Sequence, residues 1–258
     1  MISLKDREHA EKVRSAFDAS RTNTELLLPA ATFTRYRAPS ETTVFPLEYA
    51  FHLLGDVTGK TILDYGCGDG VNAIVLANYG AKVIACDLSA QLLAVAKKRL
   101  AINGCGGVEL VLGSGHTLPL PAESVDIVFG MGILHHLDLK MASGEVRRVL
   151  KKGGRGIFKE PLRNSQLVAR VRPVFPMRSD VSLCERPLTE EEVNDFAAPY
   201  AHRARTFQLL LSSVARVLPF WSRGAMRLSA HVDTYLLRRF PSLAHFGTIK
   251  VFEMIKEG

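Results

Sequence analysis

The chain has 258 residues, of which 47% are hydrophobic, so it can bury the core of one α/β domain with elaborations. Its net charge of +7 is unevenly distributed. Residues 1–138 carry 12 Lys and Arg against 15 Asp and Glu, whereas residues 139–258 carry 21 against 11. A basic half can bind nucleic acid, an anionic membrane surface or an acidic substrate, but an ordinary solvated surface can have the same composition.

Cysteine usage and hydropathy narrow the class of protein further. No two of the four cysteines form a C-x-x-C pair, so neither zinc nor dithiol redox chemistry is expected, and no metal site is predicted. Cys67 and Cys86 are expected to pack as small apolar residues near strand ends. Residues 1–20 are charged throughout, unlike a signal peptide, and no stretch approaches the ~18–20 apolar residues of a membrane span. We therefore expect a cytoplasmic protein.

The first 54 residues predict a helical leader. Apolar positions recur on one face over residues 4–19, which predicts a helix there. Residues 22–39 read as irregular and hold an aromatic and basic cluster that includes Arg35 and Tyr36. A second helix is predicted over 45–54, ended by Gly55.

Strand and helix patterns alternate from Thr61 onwards. The predicted strands are 61–65, 82–86, 108–112, 125–129, 155–159, 203–210 and 248–255, and the predicted helices between them include 71–79, 89–102 and 140–150. A turn is predicted over 151–154. This alternation requires a mostly parallel sheet with helices on both faces, and ligands bind such sheets at the carboxyl ends of the strands.

A glycine loop follows the first predicted strand. Gly66, Gly68 and Gly70 alternate with other residues between the strand-ending Asp64 and a helix that starts at Val71. Glycine permits positive φ angles, and a helix start offers unpaired N–H groups to a polar ligand. The spacing differs from the G-x-G-x-x-G dinucleotide fingerprint. A tight turn without a ligand is the plain alternative.

Asp87 closes the second predicted strand, about 20 residues after the glycine loop. An acid at this place can hold both hydroxyls of a ribose. The alternative is an acid at the start of the next helix, just before the expected N-cap Ser89.

Taken together, the glycine loop, Asp87, the loop Val111–Leu120 and the run from Gly130 to His136 resemble the class I S-adenosylmethionine-dependent methyltransferases of the bacterial small-molecule type. The resemblance implies a Rossmann-like, doubly wound, seven-stranded sheet whose last strand is antiparallel and lies between strands five and six. It also implies an N-terminal helical lid and a helical insertion near the C-terminus. The domains would be a lid over 1–54 and a methyltransferase domain over 55–258, in which 161–187 and 206–245 form an acceptor cap.

The same resemblance implies a cofactor, S-adenosylmethionine, and residues that bind it. These are Tyr36, Asp64, Gly66, Cys67, Gly68, Asn72, Asp87, Leu88, Ser114, Gly115, His116, Gly130, Met131 and His135. The family usually has an Asp at the position of Ser114, where it accepts a hydrogen bond from the adenine amino group. This chain departs from that pattern, although the Ser114 hydroxyl can still accept a hydrogen bond.

His135 and His136 are candidates for a catalytic base, because imidazole titrates near neutrality. Either histidine could instead cap or anchor the loop, and methyl transfer needs no protein base, since alignment of the reactants can itself lower the barrier. Glu160 ends the fifth strand and is expected to touch the acceptor or to pair with nearby arginines. The arginines of 163–178 either line an acceptor pocket or form a solvated basic face.

The sequence thus predicts methyl transfer to a small, hydrophobic metabolite, with no nucleic-acid partner. The mixed apolar and basic stretch 209–240 leaves a lipophilic substrate or a peripheral membrane contact open. An RNA or DNA methyltransferase, a non-catalytic cofactor-binding protein and a nicotinamide-dependent oxidoreductase are the alternatives. The oligomeric state stays open.

Overall fold

The computed structural model describes residues 8, 9, 11–13, 26–163, 187–209 and 223–257. The helices are α1 (Ala30–Arg37), α2 (Pro46–Leu54), α3 (Val71–Asn78), α4 (Ala90–Ile102), α5 (Leu139–Val149), α6 (Glu190–Ala197) and α7 (Arg223–Arg239), with short 3-10 turns at Leu134–His136 and Pro241–Phe246. The strands are β1 (Thr61–Tyr65), β2 (Lys82–Asp87), β3 (Val108–Leu112), β4 (Val125–Met131), β5 (Leu150–Pro161), β6 (Ala201–Phe207) and β7 (Ile249–Ile255).

The strands form one seven-stranded sheet in the order β3-β2-β1-β4-β5-β7-β6. The first five strands run parallel to one another, and β7 runs antiparallel between β5 and β6. The predicted fold class is therefore confirmed. Because parallel strands end at the same edge, the loops that follow β1, β2, β3 and β4 meet at one side of the sheet.

Helices cover both faces of the sheet. One face buries side chains of α2, α3 and α4, and the other buries side chains of α5 and α6. Such two-sided burial explains why the central strands are almost continuously apolar rather than alternating. The expected N-cap of α4 is present, because the Ser89 side chain accepts the N–H of Leu92.

Two parts of the leader differ from the prediction. The segment read as irregular contains α1, which begins after Pro29 and has Arg35 and Arg37 in its last turn, where positive charge stabilises a helix. The structure places Tyr36 on this helix, stacked on Phe51 with ring centroids 4.7 Å apart. Helix α2, assigned to the lid, is built into the core, with Phe51 in contact with Phe129 of β4.

Strand β5 is longer than predicted, and the turn expected at 151–154 is a bulge within it. The register with β4 shifts between Val125 and Ile127, so the residues before Arg155 are extra on the β5 side. Hydrogen bonds from Gly153 N to Lys256 O and from Lys256 N to Gly154 O keep this bulge attached to the end of β7. Pairing with a distant strand thus overrides a local turn signal.

The C-terminal part contains the predicted helical insertion in the form of α7. Strand β6 covers Ala201–Phe207, so it begins and ends earlier than the predicted strand over 203–210. The backbone N–H of Leu209 donates to the Asp233 side chain, which connects the segment after β6 to α7. Most of the predicted insertion 161–187 lies outside the described residues, as do Arg170, Arg172 and Arg178. None of the helices in the described ranges is long and apolar enough to cross a membrane.

Candidate functional site

The glycine loop turns sharply between β1 and α3. Gly66, Gly68 and Gly70 have φ angles of +73°, +54° and +82°, which side-chain-bearing residues rarely adopt. A Cβ on Gly66 would lie 2.6 Å from Ile133 Cδ1, and one on Gly70 would lie 2.9 Å from the Cβ of Ala96. A Cβ on Gly68 would meet nothing within 4 Å. Gly68 therefore leaves free space beside the backbone, where a ligand can approach.

Asp64 lies under the loop and is fully buried. Its carboxylate accepts the N–H of Ala73 in the first turn of α3, while its Oδ2 has no hydrogen-bond partner among the described residues. Burial, together with the nearby charge of Asp87, raises the pKa of Asp64 to about 7. A buried carboxylate oxygen without a partner is costly, so this atom is suited to a positively charged or hydrogen-bonding group of a ligand.

Asp87 ends β2 and joins the glycine loop to the start of α4. Its Oδ2 accepts the N–H of Gly68 at 2.8 Å and its Oδ1 accepts the N–H of Ser89 at 2.8 Å. Burial raises the pKa of this carboxyl, although both hydrogen bonds act in the opposite direction. Both interpretations of Asp87 are compatible with this geometry, because a carboxylate retains further lone pairs for hydroxyl groups.

The loop after β3 is fixed by two side chains. The Tyr65 hydroxyl donates to Gly115 O at 2.5 Å. His116 is 4% exposed, and its Nε2 accepts the N–H of Asp138 at 2.9 Å. The backbone N–H of His116 donates to the Ser114 hydroxyl at 3.1 Å. The loop that was predicted to bind adenine is therefore held in one conformation by buried groups.

The loop after β4 carries both predicted catalytic residues. Gly130 makes room for the Phe158 ring, since a Cβ there would lie 2.6 Å from it. The rings of His135 and His136 lie side by side with centroids 4.0 Å apart. His135 Nδ1 lies 2.8 Å from Glu160 Oε2.

The described partners of Glu160 are not arginines, although pairing with nearby arginines was one of its two expected roles. It is fully buried, and its Oε1 accepts the backbone N–H groups of Ile133 and Leu134, both at 2.9 Å. The strand-end acid was visible in the sequence, but the donors that face it lie 26 and 27 residues earlier in the chain. Because a carboxylate can only accept, His135 must carry a proton on Nδ1.

The leader segment, residues 8, 9 and 11–13, is helical and lies against these loops. Glu8 hydrogen bonds to the Ser114 hydroxyl and lies 3.1 Å from His116 Nδ1. Glu11 Oε2 lies 3.2 Å from His136 Nδ1. The sequence analysis predicted that the leader forms a lid but singled out neither glutamate, since no local pattern links them to residues more than 100 positions away.

The structure brings most of the predicted site residues to one edge of the sheet, and places Tyr36 on α1 against the core. Cys67 and Cys86 are buried, as expected for small apolar residues, and burial raises both thiol pKa values. Among the described residues, no group of three or more His, Cys, Asp or Glu is arranged to hold a metal ion.

Comparison with known proteins agrees with this geometry. Residues 63–158 match the family model described as a methyltransferase domain. The demethylmenaquinone methyltransferase of Lactococcus lactis is 36% identical over 195 residues, covering 70% of this chain and 75% of that protein. The demethylmenaquinone methyltransferase of Clavibacter sepedonicus is 34% identical over 151 residues, covering 58% of this chain and 55% of that protein. The chain thus spans only about half of the length of some curated relatives that it matches.

Solved structures share the fold. The magnesium protoporphyrin IX methyltransferase of Synechocystis, solved with bound S-adenosylhomocysteine, superposes with a TM-score of 0.57 at 16% identity, covering 98% of this chain and 100% of that one. The sheet order and the glycine loop define a Rossmann-like α/β fold. The chain belongs to the class I S-adenosylmethionine-dependent methyltransferase family.

Proposed function

We propose that this protein transfers a methyl group from S-adenosylmethionine to a small, hydrophobic metabolite. The observation that carries the proposal is a pair of carboxylates beside the glycine loop. Asp64 Oδ2 has no partner among the described residues, and Asp87 accepts the N–H of Gly68, where a Cβ would meet nothing within 4 Å. The cofactor is a cation with a polar amino-acid tail and an adenosine, so it matches an acidic pocket beside a glycine loop better than a neutral ligand would.

The residues present fit this cofactor. Asp64 would hold a cationic group, and Gly68 would admit the tail to the start of α3. Asp87 would accept the ribose hydroxyls beside the bonds that it already accepts from the backbone. Met131 and the loop after β4 would border the reacting end. S-Adenosylmethionine supplies, when bound, a methyl group on a sulfonium that leaves readily.

We assign His135 as the base that removes a proton from the acceptor. Glu160 keeps Nδ1 protonated, so in the neutral ring Nε2 carries the lone pair that can accept a proton. Glu160 then stabilises the imidazolium that forms, as a carboxylate does beside other catalytic imidazoles. His136 lies against His135 and faces Glu11 of the leader, so we assign it to the wall of the site rather than to proton transfer.

The hydrophobic acceptor is supported by α7, which belongs to the proposed acceptor cap. Leu228, Val232 and Tyr235 are 66%, 37% and 66% exposed and follow one another at helical spacing. An apolar stripe of this kind suits a lipophilic molecule or a membrane surface from which that molecule is taken. The related proteins are named for their acceptor, demethylmenaquinone.

The test combines binding with turnover. Purified full-length chain is titrated with S-adenosylhomocysteine by calorimetry, and turnover is followed by release of the same compound from S-adenosylmethionine with a short-chain demethylmenaquinone analogue. We expect binding and acceptor-dependent release, with Asp87→Ala weakening binding without unfolding the chain. Binding of NADH in place of S-adenosylhomocysteine would contradict the proposal.

The basic second half of the sequence motivates a parallel measurement with bulk RNA. Phosphate-driven binding weakens steeply as salt rises. A salt-sensitive gel shift together with methylation of the RNA would replace the small-molecule acceptor by a nucleic acid. Cofactor binding without turnover on any acceptor would instead favour a non-catalytic cofactor-binding protein.

A further inference from the structure

We propose that Glu8 of the leader segment selects adenine in this protein, and that its carboxylate accepts a hydrogen bond from the amino group of the adenine ring. The proposal rests on the proposed function, because it concerns the same cofactor. It adds a residue from outside the sheet domain to the binding site and assigns it a specific chemical preference.

Two donors, one of them on a buried side chain, converge on one oxygen of Glu8. Because Asp138 N–H donates to His116 Nε2, the neutral His116 ring carries its proton on Nδ1, which lies 3.1 Å from Glu8 Oε1. The Ser114 hydroxyl accepts the backbone N–H of His116 and donates its own proton to the same oxygen of Glu8. The side chain of His116 is 3% exposed, so this receptor for a carboxylate oxygen is built into the domain.

The position of this contact follows the order of the strands. Strand β1 leads into the glycine loop, its neighbour β2 ends at Asp87, and β3 beyond it leads to Ser114. A nucleoside whose ribose lies at Asp87 extends its base towards the next strand end, away from the glycine loop. Glu8 therefore brings a carboxylate to the place where the edge of the base arrives.

The chemistry of Glu8 favours a donor. Hydrogen bonds from Ser114 and His116 hold the pKa of Glu8 below its usual range, so this side chain is ionised at neutral pH and can only accept. The 6-amino group of adenine donates, whereas the 6-oxo group of hypoxanthine accepts. The Ser114 hydroxyl donates its only proton to Glu8. Without Glu8, the amino group of adenine would find only the neutral oxygen of this hydroxyl in the described loop, which is a weaker acceptor than a carboxylate.

The leader contains a matched control for this assignment. Glu8 and Glu11 lie on the same side of the leader helix, and both are partly buried, whereas His9 and Lys12 between and beside them are exposed. Glu11 faces His136 rather than the loop after β3. A Glu→Gln change at either position preserves the shape of the side chain and removes one charge. Because the charge of Glu11 also acts on Asp87, Glu11→Gln can change the affinities of both compounds together, but it does not change the preference between their bases.

The experiment measures the affinities of S-adenosylhomocysteine and S-inosylhomocysteine by calorimetry for the parent chain, Glu8→Gln and Glu11→Gln. A hydrogen bond to a charged group corresponds to roughly tenfold to a hundredfold in affinity. We expect the parent to prefer the adenosyl compound, Glu8→Gln to lose that preference by this factor, and Glu11→Gln to keep it. Differences in binding between adenine and hypoxanthine that arise at other atoms of the ring are the same for all three proteins, so they cancel in the comparison.

A double variant distinguishes a direct contact from a structural role. In Glu8→Ala combined with Ser114→Asp, a carboxylate returns to the same place from the other side of the contact, so the preference for adenine should recover. An unchanged preference for the adenosyl compound in Glu8→Gln would overturn the proposal. Tighter binding of both compounds by Glu8→Gln than by the parent would also overturn it, because the leader would then only obstruct the cleft. Failure of the parent to bind S-adenosylhomocysteine would instead contradict the proposed function itself.

Discussion

Glu160 Oε2 lies 2.8 Å from His135 Nδ1, while Oε1 of the same carboxylate accepts the N–H groups of Ile133 and Leu134. One fully buried side chain at the end of β5 thus fixes both the backbone of the loop after β4 and the tautomer of its histidine. Fold and chemistry are coupled at this contact, because the same carboxylate serves both.

Replacement of Glu160 by Gln is expected to separate these two roles. The amide oxygen can still accept the two backbone N–H groups, but its NH2 group would then face His135 Nδ1 and force the proton onto Nε2. If His135 is the base, turnover should fall by about 10²-fold or more with S-adenosylhomocysteine affinity unchanged. Nitrogen chemical shifts of the imidazole would report the tautomer directly. Parent-like turnover with a reversed tautomer would show that no base acts at this position.

Glu160→Ala is the matching structural control. It leaves two backbone N–H groups without their acceptor in a buried place, at a cost of about 1–3 kcal/mol each. We expect a clearly lower free energy of unfolding by denaturant titration for this variant and a much smaller loss for Glu160→Gln.

The pKa of Asp64 predicts a particular pH dependence of stability. Its folded-state value of about 7 lies above the ordinary value of 3.8, because the carboxyl is buried near Asp87. The folded state therefore holds a proton that the unfolded chain has lost, and this contribution is complete below about pH 4 and disappears as the pH rises through about 7. At about 1.4 kcal/mol per pKa unit it amounts to a few kcal/mol.

Asp64→Asn removes this titration. We expect the variant to gain stability relative to the parent as the pH rises from about 4 to about 7, in denaturant titrations at several pH values. Asp56→Asn serves as a flat control, because the N–H of Thr58 lowers the pKa of that exposed carboxyl below its ordinary value of 3.8. Its contribution changes only below about pH 4, so this variant should keep a constant difference from the parent between about pH 4 and 7. A difference between parent and Asp64→Asn that does not vary with pH would contradict the raised pKa.

Local sequence signals predicted the parts of the fold that depend on local chemistry. The N-cap at Ser89 and the stop at Gly55 both depend on chemistry within three or four residues. The strand order also followed, because the family resemblance specified which strand is inserted last.

The parts that the sequence did not predict depend on contacts between distant segments. The bulge in β5 is held by Lys256, about 100 residues later in the chain. The contact between Glu8 and Ser114 spans 106 residues, and the donors to Glu160 come from a different strand end. No periodicity or spacing encodes such pairs, so the helical leader could be predicted as a segment but its contacts could not.

The open space at Gly68 predicts a selective loss of binding. Gly68 and Gly104 both have positive φ angles, +54° and +60°, and a Cβ on either would meet nothing within 4 Å. Replacement by Ala should cost each protein about 1–2 kcal/mol of backbone strain. Only Gly68→Ala places its methyl group in the proposed cofactor site, so only this variant should lose S-adenosylhomocysteine affinity, by tenfold or more. Equal affinities of the two variants by calorimetry would remove Gly68 from the site.

A buried carboxylate outside the site predicts a large effect on stability alone. Glu253 of β7 is 3% exposed and lies 3.0 Å from Arg155 Nη1 and 2.7 Å from Arg203 Nε, so it links β5, β7 and β6. Arg155 also donates to the carbonyls of Leu53 and Leu54 at the end of α2. Removing Glu253 takes away the one carboxylate that both arginines share.

We therefore expect Glu253→Ala to lower the free energy of unfolding by about 1–3 kcal/mol, because hydrogen bonds from two charged arginines are lost while both arginines keep contact with water. Glu123→Gln, which disrupts the exposed pair with Lys256, should cost less than about 1 kcal/mol. Denaturant titration of both variants provides the comparison, and S-adenosylhomocysteine affinity should stay at the parental value in each. Similar losses in the two variants would mean that burial of Glu253 gives its ion pairs no additional weight, and that β6 is held to β7 by backbone pairing and apolar packing alone.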